Sequence, residues 1–224
     1  MTLPRSDPSA DPGPTVSSRG DRETALVDLH REVAACRRCV AAGFIPSAHP
    51  SFRGAIGNRV MVVGQAPGAL AHERPAPYLG ATGKTLRAWL AEAGFDADAF
   101  YGRFYLTSLT KCFPGPSLSG KGDRAPSAAE IALCRNHLDR EIALVRPEVV
   151  LALGRLAAVS FLGPAPLADL VGTVREAERA GHRFLVVPLP HPSGVSRWLN
   201  DPANRARHAQ ALALLAELRT QRAL

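Results

Sequence analysis

The sequence predicts an α/β fold of three layers, αβα, with a central four-stranded parallel sheet. Two observations carry this. Short β-branched or apolar runs recur along the chain, and each is followed by a segment whose apolar residues have helical spacing. Three of these runs end in a Gly/Pro loop: GQAPG at 64–68, TKCFPG at 110–115 and PHPSG at 190–194. Strands alternating with helices imply parallel pairing and a sheet covered on both faces. Loops that follow strand C-termini line the edge where open α/β sheets bind ligands.

The elements follow in order. Residues 23–35 show helical spacing of Ala25, Leu26, Leu29 and Val33, and Cys36-Arg-Arg-Cys39 closes that helix. RVMVV at 59–63 is a buried strand that runs into GQAPG. Residues 82–93 read as a helix, and FYLTSLT at 104–110 as a second strand ending at Lys111-Cys112. After a Gly/Pro/Ser loop over 114–126, Ser127 and Glu130 form a capping box for a helix that carries Cys134 to about Val145. EVVLAL at 148–153 is a third strand, 154–161 begin another helix, and FLVVPL at 184–189 is a fourth strand. From Asp201 an amphipathic helix presents Ala209, Leu212, Leu215 and Leu218 to the sheet.

The 224 residues suffice for one domain with a full core and are short for two. Residues 1–22, rich in Pro, Ser, Gly and Asp, read as a disordered tail before a domain over 23–224. The tail lacks the apolar core of a signal peptide, and no stretch approaches the roughly eighteen apolar residues of a membrane span. A cytoplasmic protein is therefore expected. The formal charge of +7 and pI of about 9.8 favour a polyanionic partner, nucleic acid first.

Structural disulfides are rare in the cytoplasm, so Cys36, Cys39, Cys112 and Cys134 point to a metal or cluster site, or to buried thiols. Arg37 and Arg38 beside the C-x2-C pair would stabilise thiolates. Four thiolates satisfy both tetrahedral zinc and a [4Fe–4S] cluster, and spacing leaves both open.

The ordered combination of C-x2-C, strand-GQAPG, Pro77-Tyr78-Leu79-Gly80, strand-TKC, a cysteine in the next helix and strand-His191-Pro192-Ser193 resembles the uracil-DNA glycosylase superfamily. It is most similar to the family 4 type, found in bacteria and archaea, over roughly residues 33 to 218. The resemblance implies the glycosylase fold, a structural [4Fe–4S] cluster on the four cysteines in preference to zinc, and DNA containing uracil or another damaged base as the partner of a monomeric enzyme. Two departures stand out. Family 4 usually has Glu where this chain has Gln65, and the uracil-reading Asn of the second strand is Ser108. In the familiar family 1 enzymes a catalytic Asp follows the Gln, and here that residue is Ala66.

The resemblance also assigns roles. A glycosylase takes its base out of the stack, then breaks the sugar–base bond and leaves charge on the base. His191 is the expected donor to that charge as a neutral imidazole. Gln65 would hold the attacking water, with Gly64 and Ala66 at the base. Tyr78 would stack on the base, and Ser108 would make one hydrogen bond to its edge. Arg197 or Val195 would fill the gap left in the duplex, and Ser193, Gly194 and Lys84 would hold phosphates. Arg37, Arg38 and Lys111 would add non-specific DNA contacts. The absence of a suitably placed Schiff-base lysine implies a monofunctional enzyme. The loop SLSGKGDRAPS has no histidine of the kind found in covalently trapping relatives, which implies ordinary release. The competing readings are a weak sensor of damaged or single-stranded DNA on the same fold, and an unrelated α/β protein with structural zinc.

Overall fold

The structure is a computed structural model that describes residues 18–74, 76–118, 122–194 and 196–224. The tail expected over 1–22 lies largely outside these. Helix α1 (Arg19–Ala35) starts ahead of the expected residue 23, because Ser18 and Asp21 close a capping box on its first turn. The short α2 (Arg38–Ala41) follows. The order continues with β1 (Val60–Gly64), α3 (Ala69–Glu73), α4 (Gly80–Glu92), α5 (Phe100–Arg103), β2 (Phe104–Ser108), α6 (Ala128–Val145), β3 (Val149–Leu153), α7 (Gly154–Leu162), α8 (Leu167–Leu170), β4 (Arg175–Arg179), β5 (His182–Leu189) and α9 (Pro202–Gln221).

The four expected strands are present and pair in parallel, and a fifth joins them. The order is β2-β1-β3-β5-β4, with β4 antiparallel to β5. The sequence of β4, REAER, has no apolar alternation because it lies at the sheet edge, where charge blocks further pairing. Ala180 and Gly181, both with positive φ, make the two-residue turn into β5.

The sheet divides two apolar layers. Val60, Val62, Leu106, Leu151 and Val187 face α4 and α9. Met61, Val63, Tyr105, Val150 and Val186 face α1, α6 and α7. On α9 the buried stripe is His208, Ala211, Leu212, Leu215 and Leu218. Ala209 is exposed, contrary to expectation, since His208 takes the place against Trp89, with ring centroids 4.3 Å apart.

The strand order reverses between β1 and β3, so the C-terminal ends of these strands splay apart into a crevice. The parallel register sets Gly64 beside Ser108 and Leu153 beside Leu189 at that edge, two residues before His191.

Candidate active site

A cavity of about 630 Å3 opens at this crevice, within the usual size range of small-molecule sites. Gly64, Gln65, Ala66, Tyr78, Ser108, His191, Ser193 and Gly194 all line it; of the three expected loops GQAPG and PHPSG border the cavity, whereas residues 110–115 do not, and β2 contributes Thr107 and Ser108 instead. The first motif is stitched to β2: Leu109 N–H donates to Gly64 O at 2.9 Å and Thr110 N–H to Gln65 O at 3.2 Å.

His191 stands with its Nδ1 2.8 Å from Ser193 Oγ and 3.3 Å from the Ser193 backbone N–H. A backbone N–H only donates, so Nδ1 accepts and the ring proton sits on Nε2. Burial pulls the His191 pKa below its ordinary value, against the smaller opposing pull of the Asp123 charge. The ring is therefore a neutral donor at neutral pH.

Tyr78 takes a positive φ of 56° to enter the cavity. The fit is close on two sides. A Cβ on Gly83 would stand 1.6 Å from Tyr78 O, and one on Gly64 would stand 2.8 Å from its Oη. The ring meets Phe100 edge-on at 6.3 Å. Ser108 is buried, and its hydroxyl donates to Thr110 O at 2.7 Å, which leaves Oγ as an acceptor toward the cavity.

The duplex-facing candidates are less well placed. Arg197 is exposed beside the rim, ahead of a 3₁₀ turn at Trp198–Asn200 whose Trp198 and Leu199 pack on the core. Val195 lies outside the described residues. Lys84 is exposed on α4 and does not line the cavity, although Gly80, Ala81 and Thr82 before it do.

Lys111 is not available to DNA. It is 2 % exposed and pairs at 2.7 Å with Glu141, itself 0 % exposed. Its ammonium also donates to Thr107 Oγ1 and to Ser108 O, the latter at 2.9 Å. Sequence reading missed this ion pair behind β2, because its partners lie 30 positions apart.

Asp123 and Arg124 reach the cavity from the loop after β2, also unforeseen. Arg124 clamps both oxygens of Glu130, at 2.7 and 2.8 Å, and donates to Phe44 O at 3.2 Å. The Arg124 hydrogen bonds come first among the causes that hold the Glu130 carboxyl down at about 2. The folded-state value is depressed, so this stability is present above the ordinary 4.5 and is lost as pH falls from there to about 2. Melting curves across that window should fall steeply for the wild type and more gently for Glu130→Gln; parallel curves would show that the clamp contributes nothing.

The four cysteines are unpaired thiols. Cys36 caps α1, Cys39 lies in α2, Cys112 follows β2, and Cys134 is buried in α6 with the Lys111 N–H 3.3 Å from its Sγ. They gather in one region: burial first, then the neighbouring cysteines, push Cys39 up to about 11 and Cys112 to about 12. At Cys39 the Arg38 charge pulls the pKa down as expected, but burial and the neighbouring cysteines outweigh it. Arg38 points to His137 Nε2 at 2.6 Å, and Arg37 to the carbonyls of Ala34 and Cys36. Among the described residues, no three His, Cys, Asp or Glu side chains are grouped so as to hold a single metal ion. No helix among them is long and apolar enough to cross a membrane.

A doubly wound sheet with a crevice where its order reverses, and a buried imidazole lining the cavity there, define an α/β protein with a ligand site at its switch point. The family model "Uracil DNA glycosylase superfamily" matches residues 51–216. The chain is 30 % identical to the type-4 uracil-DNA glycosylase of Archaeoglobus fulgidus, over 76 % of its own length and 83 % of the relative's. It is 28 % identical to that of Pyrobaculum aerophilum, over 84 % and 92 %, and 31 % identical to that of Sulfurisphaera tokodaii, over 58 % and 55 %. The chain belongs to the uracil-DNA glycosylase superfamily, close to its type 4 members.

Proposed function

We propose that this chain is a monofunctional DNA glycosylase of base-excision repair, which flips uracil or a related deaminated base from DNA, hydrolyses its bond to the sugar and leaves an abasic site. The observation that carries this is the fixed tautomer of His191, a donor held by the loop that closes the cavity. Its relatives' names supply uracil as the first base to test.

The steps follow from the residues. Tyr78 stacks on the base, a contact worth roughly 1–3 kcal/mol in single-strand binders. The Nε2–H of His191 donates to a base carbonyl and strengthens its bond as charge develops there. Gln65 and the backbone of Gly64 and Ala66 position the base and water. Arg197 contacts the duplex, with Val195, which lies outside the described residues, as the alternative, and Ser193, Gly194 and Lys84 contact its phosphates. The +7 charge favours DNA, acting here on a cytoplasmic monomer.

Cys36, Cys39, Cys112 and Cys134 would hold a [4Fe–4S] cluster. The cysteines stand close enough to sense one another's charge, which gathers four sulfur donors in one region. Four thiolates suit a cluster and a tetrahedral zinc alike, and the family resemblance of the ordered motifs favours the cluster. When bound, the cluster ties α1–α2 to α6 and supplies structure rather than chemistry. Iron content and visible absorbance of anaerobically purified protein test this, and stoichiometric zinc without iron would refute it.

The functional test is cleavage of oligonucleotides carrying uracil, hypoxanthine or a modified pyrimidine. Ser108 offers only an acceptor, so a broader base range than uracil alone is expected. Ser108→Asn adds a donor and should raise uracil excision about tenfold, the worth of one good hydrogen bond (about 1.4 kcal/mol), while narrowing the range. A variant with the wild-type rate and range would show that position 108 does not read the base.

A further inference from the structure

Hydrolysis needs a group that takes a proton from the attacking water, and the GQAPG loop supplies none. Gln65 does not ionise near neutral pH, and Ala66 has no polar side chain. Among the described residues lining the cavity, the one carboxylate is Asp123. It comes from the loop between β2 and α6.

That loop is held on both sides of Asp123. Residues Pro116 and Asp123 form an antiparallel bridge, Ser117 N–H donates to Gly122 O at 2.9 Å, and Arg124 N–H donates to Gly115 O at 3.0 Å. The next side chain, Arg124, is committed to Glu130 and Phe44, which anchors the loop to α6 and to the segment after α2. The carboxylate faces the first motif: a Cβ placed on Gly68 would stand 3.0 Å from Asp123 Oδ2. Its charge is felt at His191. One wall of the cavity thus carries a negative charge and another a neutral donor. The transition state needs the same pair, with positive charge growing on the sugar and negative charge on the base.

We infer that Asp123 is the carboxylate that orients and deprotonates the attacking water in this site. The inference rests on the glycosylase reading above. As the C1′–N bond breaks, its electron pair leaves on the base, held by the N–H of His191. The water oxygen forms the C1′–O bond, and one of its protons passes to Asp123. The base anion then takes a proton from solvent, and Asp123 returns its own to solvent.

Single-turnover excision from uracil-containing DNA, alongside affinity for abasic-site DNA, tests this with Asp123→Asn, which keeps the side-chain shape. General-base removal predicts a rate about 10²-fold lower with affinity within twofold of wild type. A side chain that only holds the loop would weaken binding along with the rate. Asp123→Glu, which keeps the charge, should run at least tenfold faster than Asp123→Asn. An Asp123→Asn rate within threefold of wild type, or equal loss in both variants, overturns the role of Asp123 alone. A wild-type protein that releases no base overturns the glycosylase reading itself.

Discussion

Replacing His191 with alanine should slow base excision by about 10²–10³-fold, the range for losing one preorganised donor to a developing negative charge, about 2.7–4 kcal/mol. The expectation is this large because the donor is fixed before the base arrives. The Ser193 backbone N–H holds Nδ1 as an acceptor, and prolines flank the histidine on both sides. The deficit should fall on the chemical step. Single-turnover rates should drop while affinity for abasic-site DNA stays within a fewfold, since charge on the base exists only in the transition state. The pH profile carries a second signature. Burial lowers the His191 pKa, so the neutral form persists below the ordinary 6.5, and the wild-type rate should hold there and fall only as pH drops through the depressed value. Protonation would place an N–H on Nδ1 facing the Ser193 N–H, which breaks the arrangement. A His191→Ala protein that excises uracil at a tenth of the wild-type rate or better would remove the histidine from the mechanism.

Much of this site was legible in the sequence, for a physical reason. Strands buried on both faces are nearly continuous β-branched runs, and the Gly/Pro loops that end them are read without knowing the packing. The charged edge strand Arg175–Arg179 was not legible, since its pairing is backbone chemistry beneath exposed side chains. Helices α3, α5 and α8 are too short to show a period. Asp123 sits in a Gly/Ser loop, and only the bridge to Pro116 and the Arg124 clamp bring it to Gly68, more than fifty positions earlier in the chain. Lys111 read as a surface cation beside a cysteine because charge is normally exposed. Its burial depends on Glu141 in the next helix, which no local pattern reveals.

That burial sets the second large expectation. Lys111→Ala should destabilise the fold by about 3–5 kcal/mol, because it leaves the Glu141 charge in the interior without its partner. For a domain of this size the loss corresponds to roughly 6–20 °C in melting temperature, a large share of the roughly 5–15 kcal/mol that holds an ordinary domain together. The cost belongs to the orphaned carboxylate rather than to the contact itself, and a double variant separates the two. Lys111→Met with Glu141→Leu removes both charges at similar volume and should recover most of the stability, since buried pairs seldom outdo well-packed apolar side chains. Function should not recover with it. The ammonium of Lys111 donates to Ser108 O and to Thr107 Oγ1, and so fixes the end of β2 from behind. A stable double variant should therefore show a raised KM or a lowered chemical rate on uracil DNA. If it excises uracil as the wild type does, the pair is a folding device only, and Ser108 is positioned by the sheet alone.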